Sequence, residues 1–165
     1  MRYLAFFRPE GELADRILRQ EGLALPSSGL HATVCAFRMG REHEASLVRG
    51  LSAIAFPAFD VETTGYAVYD EGSTVLELSL PPALELLHHA VAGVAERYGR
   101  LGTRGHGEHV KEAYSPHVTL AKREPGFGRA PELVGVEERV TEYHLARRDE
   151  DGWRRIRRFG SIGYE

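Results

Sequence analysis

A single cysteine, Cys35, two lysines and no asparagine stand in a chain of 165 residues. One thiol cannot close an intrachain disulfide, which fits a reducing compartment. A chain of this length hides about 70% of its unfolded surface on folding and needs no covalent or metal staple. No apolar run approaches the roughly 20 residues of a membrane span. The opening run Tyr3 to Phe7, broken by Arg8 and Pro9, is too short for a signal-peptide core. An excess of basic charge is missing as well: 21 Lys and Arg meet 24 Asp and Glu, for a formal charge of -3. That balance argues against coating duplex nucleic acid, which needs many phosphate contacts from a basic surface, while leaving open the gripping of one phosphate. The bias toward Arg, Gly, Ala and Glu reads as genomic composition. The expectation is a cytoplasmic, monomeric protein that holds no cofactor.

What is present alternates between strand-like and helix-like segments, with no low-complexity linker. Residues 2–8 read as a strand. Gly11 to Gln20 carries Leu13, Ile17 and Leu18 at helical spacing, and Leu30 to Arg38 is β-rich. Glu42 to Ala55 is a second amphipathic helix, stopped by Pro57. Phe59 to Tyr69 and Thr74 to Leu80 form a hairpin around Asp70-Glu71-Gly72-Ser73. Pro81 and Pro82 open the longest helix, with Leu84, Leu87, Val91, Val94 and Tyr98 as its apolar stripe. A glycine-rich loop from Gly99 leads to a strand entered through Pro116, and Val134 to Ala146 pairs with Trp153 to Ile162. Each half thus contains strand, helix, and a strand that begins with histidine. The predicted fold is α+β, with helices outside mostly antiparallel sheets.

Two tripeptides match: His31-Ala32-Thr33 and His117-Val118-Thr119, 86 positions apart. Eight His and seven Thr should give about a third of one His-x-Thr by chance, so the pair gains weight from its matched placement. Residues two apart on a strand share a face, so each His sits beside its Thr, away from the apolar side chains that suit packing under helices. If the two strands meet about a pseudo-twofold axis, four side chains converge in one groove. Displacement at phosphorus needs a base for the entering oxygen and an acid for the departing one. Two imidazoles with ordinary pKa near 6.5 can divide those tasks, and threonine hydroxyls can donate to the nonbridging oxygens.

These residues, with the element order around them, resemble the 2H phosphoesterase superfamily, which includes 2'-5' RNA ligase-like proteins and 2',3'-cyclic nucleotide phosphodiesterases. The resemblance implies one domain over residues 1–165, built of two intertwined lobes with a central cleft lined by His31, Thr33, His117 and Thr119. It implies metal-independent action on a phosphodiester at an RNA or nucleotide end. A basic residue usually follows the second histidine by five positions; here it is Lys122, where Arg is usual. Strict alternation points Lys122 away from the histidines unless the strand bulges. A noncatalytic RNA or nucleotide binder that retains the groove is the alternative.

Further candidates are weaker. Tyr3, Phe7 and Tyr66 would stack on a base if they line the groove, although strand aromatics are more often core. In the final hairpin, alternation puts Trp153, Arg155 and Arg157 on one face, where Arg157 is a candidate to guide a nucleic-acid end; an ordinary solvated edge hairpin is the plainer reading. Cys35 shares the face predicted for His31, as a small buried thiol. His88 and His89 read as a solvent-edge pair. His106 and His109 have the spacing of metal ligands in a loop that supplies no partner cluster, so no metal site is assigned; they would serve only a third reading, a metal hydrolase.

Overall fold

The computed structural model describes residues 1–69, 71–102, 111–124 and 127–163. Nine strands and three α-helices follow in the order β1 (Arg2–Phe7), α1 (Gly11–Leu18), β2 (Ala32–Met39), α2 (Glu44–Ser52), β3 (Phe59–Val68), β4 (Thr74–Leu78), α3 (Pro82–Glu96), β5 (Gly99–Leu101), β6 (His117–Ala121), β7 (Glu137–Val140), β8 (Glu142–Asp149) and β9 (Gly152–Gly160). The single strand expected from Val134 to Ala146 is two. It breaks at Thr141, so that β7 can pair with β3 while β8 pairs with β1.

Neighbouring strands run in the order β7-β3-β4-β6-β2-β1-β8-β9, antiparallel throughout, and β5 extends the far end of β2. This order is palindromic. The unit β1-α1-β2 repeats as β4-α3-β6, and each unit is flanked outward by a two-strand ribbon. The seam between the halves is one Cα pair, Ala32 with Val118. Beyond it the strands splay. The edge of β2 is taken over by β5, and that of β6 by the segment at Ala24, whose amide donates to Leu120 O (3.0 Å) and whose carbonyl accepts from the Lys122 amide (2.8 Å).

The helices bury their stripes on one side of the sheet: Leu13 and Ile17 from α1, Leu47 and Leu51 from α2, and Leu84, Leu87 and Val91 from α3. Tyr3, Ala5 and Phe7 of β1 point into this core. Leu4 and Phe6 belong to a small separate cluster with Ala146, joined by Ala36 and Trp153, on the opposite, open side. Among the described residues, no helix is long and apolar enough to cross a membrane.

Candidate active site

Both histidine strands carry a bulge one residue after the threonine. Ala5 pairs with Cys35 and Phe6 with Thr33, so Val34 is the extra residue in β2. Thr74 pairs with Ala121 and Val75 with Thr119, so Leu120 is the extra residue in β6. Before each bulge the His and Thr face the open side and are half-buried. After it the parity changes: Cys35 and Ala121 turn into the core. Continuing the Ala32–Val118 register one step each way sets His31 across from Thr119 and Thr33 across from His117. In an antiparallel pair, His31 and His117 are then diagonal neighbours on one face, a relation that spans roughly 7–8 Å.

The two rings are held alike. Nδ1 of His31 lies 2.8 Å from Gly29 O, and Nδ1 of His117 lies 2.9 Å from Ser115 O, each a carbonyl two residues upstream. A carbonyl only accepts, so both Nδ1 atoms carry the proton, and Nε2 is the atom through which each ring exchanges one. Ser28 Oγ stands 3.3 Å from the first Nδ1 and Tyr69 Oη 3.0 Å from the second. Phe6 meets His31 edge-on at 5.7 Å between centroids, and Tyr69 meets His117 likewise at 4.9 Å.

Electrostatics breaks the symmetry. One step beyond the Phe7–Ala32 pair, Arg8 stands across from His31, whereas Glu77 is paired directly with His117. Burial pushes the His31 pKa below the usual histidine value; the Gly29 hydrogen bond opposes the shift, and the positive charges of Arg8 and Lys122 add to it. Tyr69 is pushed up to about 12 by burial, helped by Glu77 and Glu71, so its hydroxyl stays protonated.

The family pattern of the 2'-5' RNA ligase superfamily matches residues 12–152. The chain belongs to the 2'-5' RNA ligase superfamily. Its fold is that of E. coli LigT complexed with 3'-AMP, with a TM-score of 0.73 at 18% identity over 98% of each chain. TT0787 of Thermus thermophilus superposes with a TM-score of 0.73 at 16% identity over 100% of each chain. LigT complexed with NADP+ gives 0.71 at 18% identity, covering 97% of this chain and 96% of that one. No curated protein matches the sequence.

The first bulge has a side-chain support from α3. Its carbonyl, Val34 O, accepts a 2.5 Å hydrogen bond from Nδ1 of His88, whose Nε2 accepts from the Lys111 amide at 2.6 Å. Tyr114 stacks on His88 with centroids 4.0 Å apart and donates its hydroxyl to Thr33 O at 2.9 Å. His88 is fully buried, which corrects the expectation of a solvent-edge pair; only His89 is exposed. Spent on both nitrogens and pushed to a lower pKa by burial, His88 is a neutral strut behind Thr33. The second bulge uses the Ala24 backbone instead.

Tyr3 and Phe7 do not reach the groove. They lie in the core, Tyr3 stacked on Phe37 and Phe7 edge-on to Phe59. Both parities of β1 are apolar, so alternation cannot tell which face is which, and the β1 aromatic beside His31 is Phe6. Tyr66 donates to Ala130 O at 2.6 Å and packs against the core. Arg157 is paired with Leu145, a core residue, because Ile156 is an extra residue in β9. Arg157 therefore faces the helix side, and Arg155 and Arg158 take the open one. Lys122 is exposed, and the Leu120 bulge restores it to the histidine side, where His31 feels its charge. Cys35 is buried in the core, not beside His31, and burial pushes its thiol up to about 12. His106 and His109 lie outside the described residues.

Next to His31 a pocket of about 360 Å³ opens between the Ser27–Gly29 loop and β9, with Phe6 and Leu4 as its floor, Trp153 as a wall, and Arg8 and Arg155 at its rim. A larger depression of about 580 Å³ between α1 and residues 128–132 touches none of the groove residues. The histidines and threonines had a signal in the sequence, and the family resemblance pointed to Lys122. Phe6, Arg8, Tyr69, His88 and Tyr114 act through pairings that no local pattern encodes.

Proposed function

We propose that this chain is a metal-independent phosphoesterase that opens a 2',3'-cyclic phosphate, or a related phosphodiester, at an RNA or nucleotide end. The observation that supports it is the pair of imidazoles, each tied through Nδ1 to a backbone carbonyl and flanked by a threonine on one open face. The bound 3'-AMP of E. coli LigT, a ribose carrying a phosphate, suits the same chemistry.

His31, beside Arg8 and with its pKa lowered, is the neutral partner and takes a proton from water at Nε2 as the water oxygen bonds to phosphorus. His117, paired across the strands with Glu77, gives its Nε2 proton to the ribose oxygen as the P–O bond breaks. Thr33 and Thr119 donate to the nonbridging oxygens, and the Lys122 ammonium offsets their charge. With a 5'-hydroxyl in place of water as the entering group, and the 3'-oxygen leaving with the proton from His117, the same forward steps join RNA ends through a 2'-5' bond.

His31→Ala and His117→Ala should each lower kcat on a 2',3'-cyclic phosphate by about a hundredfold or more, and Thr33→Val and Thr119→Val by less. Wild-type activity should persist in EDTA. Loss in EDTA with recovery on zinc would sink the reading, whereas tight binding of the nucleotide without turnover would leave a binder.

A further inference from the structure

Four arginines form a row across the open face. Arg100 is paired with Arg38, Arg38 with Arg2, and Arg2 with Arg148, on the adjacent strands β5, β2, β1 and β8; Trp153 on β9 closes the row opposite Arg148. Directly paired residues share a face, and Leu4, two positions after Arg2, belongs to the open-side cluster, so the whole row is on the side of the histidines. All four arginines are exposed. Among the described residues none of them forms an ion pair; Arg148 alone makes a side-chain hydrogen bond, to Ser27 Oγ at 2.8 Å, and its guanidinium stands 5.9 Å from the Trp153 ring. Like charges directly opposite each other destabilise a sheet. In a protein of net charge -3, four aligned cations without ion-pair partners among the described residues offer a surface to an anionic ligand.

The surroundings identify the anion. Between the row and His31 lies an apolar strip of Leu4, Ala36 and Ala146, bounded by Trp153 and leading to Phe6. Cations followed by a stacking platform are the pattern that single-stranded nucleic acid meets, phosphates on one and bases on the other. Arg2 is four residues along β1 from Phe6, about 13 Å at 3.3 Å per residue. A mononucleotide with its phosphate between the histidines cannot span that distance, whereas a strand of a few nucleotides can.

We propose that the arginine row is a track for single-stranded RNA, holding the body of a strand whose terminal phosphate lies between His31 and His117. The choice of RNA and of its end rests on the cyclic-phosphate reading; the track rests on the strand register, the exposed arginines and the apolar strip beside them. The test is fluorescence anisotropy with a labelled RNA octamer ending in a 2',3'-cyclic phosphate, on His117→Ala protein to prevent turnover, with and without Arg2→Gln, Arg38→Gln and Arg100→Gln. The triple change should weaken octamer binding at least tenfold at low salt and make the log Kd against log salt slope shallower by about 2, at roughly 0.7 per phosphate contact. In protein with His117 intact, it should leave turnover of a cyclic mononucleotide unchanged. It should not lower the melting temperature of the free protein, since it removes repulsion; if the triple variant fails to fold, each single change should still take about 0.7 from the slope. Unchanged octamer affinity and slope would overturn the proposal. So would equal affinity and equal row dependence for inorganic tripolyphosphate. Row-dependent octamer binding in a protein that turns over no cyclic phosphate would uphold the track and refute the catalytic reading.

Discussion

At the residue scale the two halves differ most in what stands across from each histidine. Arg8 and Lys122 act with burial to keep His31 neutral, and Glu77 sits in the equivalent place beside His117. The rate should therefore follow a bell-shaped pH curve whose acidic limb, the protonation of His31, falls below the ordinary histidine value near 6.5. Replacing Arg8 with Gln removes one depressing charge, so that limb should move up in pH. The check is kcat/KM for a cyclic phosphate from about pH 5 to 9 in both proteins; an unmoved acidic limb would count against His31 as the base. The identity of these flanking residues is plain in the sequence, but their partnership is not, because each pair joins residues more than twenty positions apart.

At the element scale, the bulges decide which side chains meet. Among the described residues, four strands depart from strict alternation, at Val34, Thr64, Leu120 and Ile156. Each departure reverses the face of everything beyond it. That is why Cys35 and Arg157 fall on the other side from that expected by counting in twos, and why Lys122 returns to the histidine side. The bulge in β2 also ends its pairing with β6 and frees the strand to meet β5. That meeting is close: a Cβ on Gly99 would collide with the Arg38 carbonyl oxygen. Gly99→Ala should destabilise the protein by about 1 to 3 kcal/mol, as overpacking against backbone does. Urea unfolding measures it, and a change within about 0.5 kcal/mol, the usual range for a surface site, would show that β5 shifts freely.

At the scale of the whole molecule, three histidines are held at lowered pKa by burial first: His31, His88 and His144. For His88 the His89 charge adds to the shift, while the Val34 hydrogen bond and Glu85 oppose it. For His144, Arg155, Arg8 and Arg158 add to it against Glu142. A folded pKa below the unfolded one means that the unfolded chain binds more protons at mildly acid pH. Stability is then full above about pH 6.5 and falls as the pH drops below it. The urea midpoint should decrease from about pH 7.5 to 5.5, a window above the titration of ordinary carboxylates. His88→Gln should flatten the decrease, and a midpoint that is constant across the window would refute it.

The sequence by itself determined the class of fold, the long helix after Pro81 and Pro82, the two His-x-Thr strands and their symmetric placement. Helical periodicity, proline and turn residues are local signals, and a tripeptide on a strand commits His and Thr to one face whatever lies beyond it. Only the tertiary structure decided the rest. The break at Thr141 exists because β7 and β8 have different partners. His88 became a strut because α3 packs on β2 and brings its Nδ1 to Val34 O at the bulge. The arginine row exists because the registers of four strands, joined across the whole chain, bring Arg2, Arg38, Arg100 and Arg148 into line. Strand register is fixed by which apolar faces the helices cover and where bulges fall, and neither is written within any one segment.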